Sequence, residues 1–171
     1  QLHQDAYYTN GLGPDGKEGN AMPFPVTMDV LERGQERFNI YCTPCHSRVG
    51  NGAGMIVQRG YRPAGDFQTQ RLMTAPLGHF FYVMTNGYGA MPDYSAQVAP
   101  QDRWAIVAYI KALQLSQHAT PADVAPGAQV ESLSDIAARE GIDNPNNWAL
   151  PPTAVYGTPN NQDNGIPAEL P

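Results

Sequence analysis

Residues 42–46 of the chain, Cys-Thr-Pro-Cys-His, constrain the fold more than any other feature, because they place two thiols and an imidazole within one short segment. C-x-x-C-H is the attachment signature of a c-type haem. Two residues between the thiols match the separation of the two vinyl groups along one porphyrin edge, so Cys42 and Cys45 can each form a thioether. The adjacent His46 then supplies an imidazole to the iron. The segment predicts one covalently attached haem c.

A C-x-x-C pair also occurs in thioredoxin-like redox sites and in zinc sites. The redox motif belongs to a βαβ context, whereas this pair follows an amphipathic helical segment and precedes a glycine-rich loop, residues 50–54. A zinc site usually needs a second ligand pair, and the remaining histidines do not form one: His3, His79 and His118. A disulfide across two residues is strained. Haem attachment is therefore favoured.

Length and hydropathy bound the class of protein. The chain has 171 residues, about the length of one domain. No apolar run approaches the ~20 residues of a membrane-spanning helix. The chain begins at Gln1, without an initiator methionine or a signal peptide, so we expect a processed, soluble portion. A lipid anchor before Gln1 is an alternative that the sequence leaves open.

Charge and proline content divide the chain into three segments. Residues 26–117 have a net charge of +2 and are predicted to form a monohaem domain. Residues 1–25 have a net charge of −2 and are rich in Gly, Asn and Pro, which predicts an extended N-terminal arm. Residues 118–171 have a net charge of −6 and predict a Pro-rich acidic C-terminal arm, with one helical turn near residues 134–140. Nothing resembles a basic nucleic-acid-binding face, so no nucleic-acid partner is expected.

Hydrophobic periodicity predicts that the middle segment is helical. The first helix should begin after Thr27, a good N-cap residue, and the third should end at Gly87, a good C-cap residue. The last helix carries two apolar stripes, so we expect it to be buried on more than one side. The first two predicted helices are residues 28–41 and 67–73. The third begins near residues 74–76 and ends at residues 86–87, and the last covers residues 100–117.

The haem motif, these helices and a later Met-Pro pair together resemble class I cytochromes c over residues 26–117. The resemblance implies an all-α fold with the first and last helices crossing closely around one haem. A glycine and an aromatic residue of the first helix then meet an aliphatic and an aromatic residue of the last: Gly34 and Phe38, Ile106 and Tyr109. We expect these four residues to have a structural role only.

The same resemblance implies further haem-binding residues. The sixth iron ligand in this family is usually a methionine in the loop before the last helix, and Met91 in Gly89-Ala90-Met91-Pro92 fits that position. A core role for Met91, ligation by His79 and a vacant sixth position are the alternatives. Pro63 resembles the family proline whose carbonyl accepts a hydrogen bond from the proximal imidazole, here that of His46.

A closer resemblance is to the monohaem cytochrome subunit of bacterial alternative complex III, a quinol-oxidising membrane complex. It rests on residues 52–60 (GAGMIVQRG), 91–94 (MPDY) and 102–110 (DRWAIVAYI). The resemblance implies a subunit on the periplasmic side of the bacterial inner membrane, held there through the complex. Such a subunit would take electrons from a multihaem cytochrome subunit and pass them to an oxidase or a soluble carrier.

The arms agree with a role as a subunit. Fifty-four extended residues can span up to ~180 Å, far more than one domain needs. We expect the arms to lie along partner subunits, with a C-terminal arm that wraps back on its own domain as the alternative. The apolar residues of the C-terminal arm are spaced as anchors: Trp148, Leu150, Val155, Tyr156, Ile166 and Leu170.

These features predict an electron carrier rather than an enzyme, since two protein ligands leave no iron position for a substrate. Within this class the alternatives are a free periplasmic cytochrome c and an oxidase-associated cytochrome domain. From another class, a haem enzyme or a gas sensor would need an open sixth position. No sequence motif indicates the distal His or Arg that such chemistry requires.

Overall fold

The computed structural model describes residues 6–131 and 133–141, and over these residues the protein is all-α. β-type pairing there is limited to two isolated bridges, Leu12–Glu18 and Tyr88–Met91. A short 3₁₀ helix also covers Pro121–Asp123. The α-helices are, in chain order, α1 (Ala6–Asn10), α2 (Met28–Tyr41), α3 (Thr43–His46), α4 (Met55–Gln58), α5 (Gln70–Met73), α6 (Leu77–Asn86), α7 (Pro100–His118) and α8 (Leu133–Glu140).

The longer predicted helices are confirmed. Helix α2 has the predicted bounds, and the Thr27 hydroxyl accepts a hydrogen bond from the backbone N–H of Val30 at 3.4 Å. Helix α6 ends at Asn86 and is capped by the predicted Gly87, whose φ of +77° favours glycine. Helix α7 begins with Pro100 at its first turn and extends one residue further than predicted.

Helix α5 is shorter than the predicted helix over residues 67–73. The Asp66 carboxylate accepts a hydrogen bond from the backbone N–H of Gln68 at 2.8 Å, which forms a turn. The backbone N–H of Phe67 is used elsewhere, in a 2.8 Å bond to the carbonyl of Gly50. The Phe67 carbonyl, which would accept the Arg71 N–H in a helix that began at residue 67, instead accepts a bond from the Gln114 side chain, and α5 begins only at Gln70.

The close crossing of α2 and α7 is confirmed and forms the centre of the core. A Cβ added to Gly34 would collide with the backbone carbonyl of Ala105 and lie 2.9 Å from the Tyr109 Cβ. Phe38 is fully buried, and its ring centroid lies 5.3 Å from that of Tyr109. Ile106, 1% exposed, packs in the same cluster. The crossing fixes the direction in which α2 delivers residues 42–46.

The N-terminal segment packs more closely on the domain than an extended arm implies. The indole of Trp104 donates a 2.8 Å hydrogen bond to the carbonyl of Tyr8, and both residues are buried. The Asn20 side chain accepts a bond from the backbone N–H of Leu77 at the start of α6. This segment thus covers the face of α7 that carries Trp104. The boundary at residue 25 stays a prediction.

Most of the predicted C-terminal arm, including its proposed anchor residues, lies outside the described residues. The predicted helical turn near residues 134–140 is confirmed as α8. Among the described helices, none combines the length and apolarity that crossing a membrane requires.

Candidate haem site

The two cysteines and the histidine share one face of a helical turn. Cys42 is the C-cap residue of α2 and the N-cap residue of α3. Its carbonyl accepts hydrogen bonds from the backbone N–H groups of Cys45 at 3.1 Å and His46 at 2.8 Å. Residues three and four apart in a helix project from the same side. The turn therefore presents two thiols and one imidazole together, as attachment of a haem along one porphyrin edge requires.

Both thiols are free, and burial affects their chemistry. Burial raises the pKa of Cys42 to about 12, with a smaller contribution from the neighbouring Cys45. Burial also raises the pKa of Cys45. Neither sulfur is held as a thiolate by a nearby cation, as a nucleophilic redox cysteine would be. The surroundings suit sulfurs that end as neutral thioethers.

The imidazole of His46 is oriented by a backbone carbonyl. Its Nδ1 lies 3.0 Å from the carbonyl oxygen of Gly65. A carbonyl only accepts, so Nδ1 carries the proton and Nε2 keeps its lone pair for a metal. Burial lowers the pKa of His46, which favours the neutral form that binds iron.

The predicted role of Pro63 is corrected by this contact. The acceptor for His46 is the carbonyl of Gly65, two residues later. The reason lies in how the loop is held: the hydrogen bond between Phe67 and Gly50 draws residues 65–67 towards the haem motif. Sequence pattern could identify the proline-containing loop but not which of its carbonyls faces the ring.

Glycines allow the surrounding loop to approach the haem motif. A Cβ on Gly54 would lie 2.5 Å from the backbone carbon of Cys45, so only glycine fits there. Gly52 has a φ of +73°, and a Cβ there would collide with the carbonyl of Ala64. The backbone N–H of Gly54 also donates to the carbonyl of Cys45 at 2.8 Å. The glycine-rich loop is thus a close-fitting support for the turn that carries His46.

The loop that carries Met91 follows α6 and is held by few bonds. Tyr88 and Met91 exchange two backbone hydrogen bonds, of 3.0 and 2.9 Å. The Tyr61 hydroxyl donates a 2.9 Å bond to the carbonyl of Ala90. The backbone N–H of Tyr94 donates to the carbonyl of Met84 at 2.8 Å. Met91 itself is half-buried and packs against the core cluster.

His79, the alternative to Met91 as sixth ligand, lies on α6 and already has a side-chain partner. Its Nδ1 lies 2.9 Å from a carboxylate oxygen of Glu18, which belongs to the N-terminal segment. Its ring also packs edge-on against Phe80. This pairing gives His79 a structural partner and makes Met91 the simpler choice of sixth ligand.

Sequence reasoning missed two residues next to the site. The ring of Phe67 stacks on the imidazole of His46, and the Gln114 side chain bonds to the Phe67 backbone. The sequence provides only a weak signal for Gln114. It is a polar residue four positions after Ile110, and therefore lies on the same apolar face of α7.

The donor set fits haem better than the alternatives. It contains two neutral thiols and a neutral imidazole with a free nitrogen, together with a thioether in the predicted loop. Among the described residues, no group of three or more His, Cys, Asp and Glu side chains could hold a metal ion by itself, so the zinc alternative lacks its ligands there. The all-α setting is likewise unlike the βαβ context of a thioredoxin-type pair.

The all-α fold and this donor set resemble those of a class I cytochrome c domain. The family model described as cytochrome C oxidase, cbb3-type, subunit III matches residues 29–110, from the start of α2 into α7. The search of the curated proteins returned no match. The match implies a domain that binds haem c and transfers electrons, which suggests a carrier rather than an enzyme.

Proposed function

We propose that this protein is a monohaem electron carrier in which Cys42 and Cys45 attach the haem and His46 and Met91 bind its iron. The observation that carries the proposal is the 3.0 Å contact between His46 Nδ1 and the Gly65 carbonyl. That contact commits one ring nitrogen to the protein and leaves the other for iron, on the face that carries the thiols. The haem, when bound, supplies a one-electron Fe(III)/Fe(II) couple.

The protein's own residues would set the properties of this couple. A methionine thioether is a soft ligand that raises the reduction potential relative to a second histidine. The carbonyl of Gly65 increases the basicity of His46 by accepting a hydrogen bond from its Nδ1–H. His46 and Met91 would together hold the iron and leave no position for a substrate, so the proposed ligand set is that of a carrier rather than an enzyme or a gas sensor.

Optical spectra of the oxidised and dithionite-reduced protein, with and without carbon monoxide, test this ligand set. We expect a thioether-to-iron charge-transfer band in the oxidised protein and a reduced spectrum that carbon monoxide does not shift. Met91→Ala should lose the band and bind carbon monoxide. His79→Ala, a matched control, should leave both spectra unchanged. A wild-type Soret peak shifted by carbon monoxide would favour the enzyme or sensor alternative.

We further propose that the protein is a periplasmic subunit of a membrane quinol-oxidising complex, passing electrons to an oxidase or a soluble carrier. Support comes from the three stretches that resemble the alternative complex III subunit and from the long acidic segment beyond α7. The matched family model is described by a cytochrome oxidase subunit, which supports the oxidase-associated placement as the second candidate.

Affinity purification of the full chain from membranes separates these placements. Multihaem cytochrome and quinol-binding subunits should co-purify if the first placement holds, whereas haem–copper oxidase subunits would support the second. Deletion of residues 120–171 should release the protein from its complex without changing its haem spectrum. Retention of the partners after this deletion would contradict the proposed role of the C-terminal arm.

A further inference from the structure

The proximal imidazole has an aromatic neighbour that the hydrogen bond to Gly65 does not require. The rings of His46 and Phe67 lie nearly parallel, at 13°, with their centroids 4.6 Å apart. This distance is in the range of offset stacking between aromatic rings. Phe67 is only 8% exposed and also packs against Phe38 and Phe80, so its ring has little freedom to turn.

The backbone of Phe67 is fixed from two directions. Its N–H donates a 2.8 Å hydrogen bond to the carbonyl of Gly50 in the glycine-rich loop. Its carbonyl accepts a 2.7 Å hydrogen bond from Nε2 of Gln114, on α7. The last long helix is therefore connected directly to the residue that covers the proximal histidine.

Gln114 is held in the orientation that this bond needs. Its Oε1 accepts a 2.8 Å hydrogen bond from the ammonium of Lys111, one turn earlier on α7. The same ammonium donates to the carbonyl of Met73 at 2.9 Å. Since Lys111 can only donate, it fixes Oε1 on its own side and turns Nε2 towards Phe67.

A buried amide at this place costs free energy unless it is fully bonded. Gln114 is 5% exposed, on a helix whose other buried positions are mostly apolar. Both ends of its amide have partners, so the cost is offset. An apolar residue would fill the same space without this requirement, and packing alone therefore does not explain a glutamine here.

We infer that Phe67 and Gln114 are positioning residues that fix the plane of the His46 imidazole. The inference rests on the proposed function, in which His46 binds the haem iron. The torsion that rotates an imidazole about its Cβ–Cγ bond is soft and broad in proteins. The Gly65 carbonyl fixes the direction of Nδ1, and the parallel face of Phe67 fixes the tilt of the ring. Gln114 acts through Phe67 by holding its backbone.

The haem-methyl proton resonances of the oxidised holoprotein test this inference, because their paramagnetic shifts depend on the orientation of the axial imidazole plane. Phe67→Leu and Phe67→Met keep an apolar side chain but remove the ring. Gln114→Leu removes the donor to the Phe67 carbonyl. We expect each of the three variants to change the order or spread of the four methyl signals, with the Met91 charge-transfer band retained.

Two controls make the comparison specific. Phe81→Leu removes another buried, stacked phenylalanine, whose ring lies 4.4 Å from Trp104 rather than on His46. Gln117→Leu removes another α7 amide that bonds a backbone carbonyl, that of Val49 at 3.0 Å. Both should leave the methyl pattern of the wild type in place, whatever they do to stability.

Each outcome decides the inference. An unchanged methyl pattern in the Phe67 variants, or the same change in the controls, would overturn it. If neither Phe67 variant yields folded holoprotein, Gln114→Leu alone tests the inference. A Gln114→Leu protein that loses stability but keeps the wild-type haem-methyl pattern would show that Gln114 has only a structural role, and this would overturn its positioning role. A wild-type spectrum that shifts under carbon monoxide would instead refute the proposed ligand set, which separates the two failures.

Discussion

The two sides of the proposed haem site are held to very different degrees. On the His46 side, groups from three parts of the chain converge: the buried glycine-rich loop, the buried amide of Gln114 on α7 and the carbonyl of the exposed Gly65. On the Met91 side, a short loop is closed by its own bridge and by the hydroxyl of Tyr61, which is 47% exposed. Both proposed ligands are half-buried, but more contacts from distant parts of the chain hold His46 than hold Met91.

This difference suggests that the two ligands fail in different ways. Disturbing the His46 side should unfold the domain, because the same contacts hold both the ligand and the core. Disturbing the Met91 side should release the ligand and leave the fold intact, since local opening draws on few buried contacts. The proposed site would then keep its haem attached while its sixth ligand could exchange.

The largest expected contrast comes from a matched pair of glycine substitutions. Gly52 and Gly89 both have positive φ, of +73° and +57°, but only Gly52 lies against backbone. Gly89→Ala should cost about 1–2 kcal/mol of unfolding free energy, the usual penalty for a left-handed alanine. Gly52→Ala adds a collision with Ala64 and should cost more than about 3 kcal/mol.

Guanidinium denaturation of the two holoprotein variants, followed by far-UV circular dichroism, measures these costs. Gly52→Ala should also lower the yield of haem-loaded protein. Equal losses for the two variants would contradict the view that the His46 side is the more tightly built.

A smaller contrast is expected in the dependence of stability on pH. Burial lowers the pKa of His46 below its ordinary 6.5. Iron on Nε2 would likewise keep the folded imidazole unprotonated. Just below pH 6.5 the unfolded chain then binds more protons than the folded one, so stability falls as the pH drops through this window. Burial raises the pKa of Tyr94, near the Met91 loop, above 10.0, so the unfolded chain loses its proton first and stability falls as the pH rises beyond 10.0.

Denaturation midpoints between about pH 5 and pH 11 should therefore show a plateau with a decline at each end. Tyr94→Phe should weaken the alkaline decline and leave the acid decline unchanged. Burial also raises the pKa of Tyr8, in the N-terminal segment, so part of the alkaline decline should remain. An alkaline decline that Tyr94→Phe does not alter would assign it wholly to other groups.

The smallest expected effect concerns the tether of the Met91 loop. Tyr61→Phe removes the hydrogen bond to the Ala90 carbonyl, and such a bond contributes about 0.5–1.5 kcal/mol. Added imidazole competes with Met91 for the oxidised iron. The apparent affinity of the Tyr61→Phe protein for imidazole should therefore be about two- to tenfold higher than that of the wild type. Tyr82→Phe removes an exposed hydroxyl from α6 and should leave that affinity unchanged. A fall in stability without a change in imidazole affinity would mean that Tyr61 supports the core instead.

Much of the fold could be predicted from local patterns. The bounds of α2 and the capping role of Thr27 depend on neighbouring residues, and both are confirmed. The crossing at Gly34 was implied by a family resemblance and is also confirmed, since an added Cβ would strike α7. The start of α5 was predicted three residues too early, because the hydrogen bond from the Gln114 side chain to the Phe67 carbonyl spans a separation that no local pattern reports.

The surroundings of the site were harder to predict. The N-terminal segment was expected to be extended, yet Tyr8 is buried and its carbonyl accepts the Trp104 indole N–H. The acceptor for His46 was expected at Pro63 and lies at Gly65. Each of these features depends on two segments that are far apart in sequence and meet only after folding.

The sequence by itself determined the chemistry of the site and the helical framework, because C-x-x-C-H spacing, helix periodicity and capping are properties of adjacent residues. The tertiary structure alone decided which carbonyl accepts the hydrogen bond from His46, which ring covers the imidazole and which helix fixes that ring. A carbonyl is the same chemical group at every position of the chain. Only the folded backbone can decide which one lies within 3.0 Å of Nδ1.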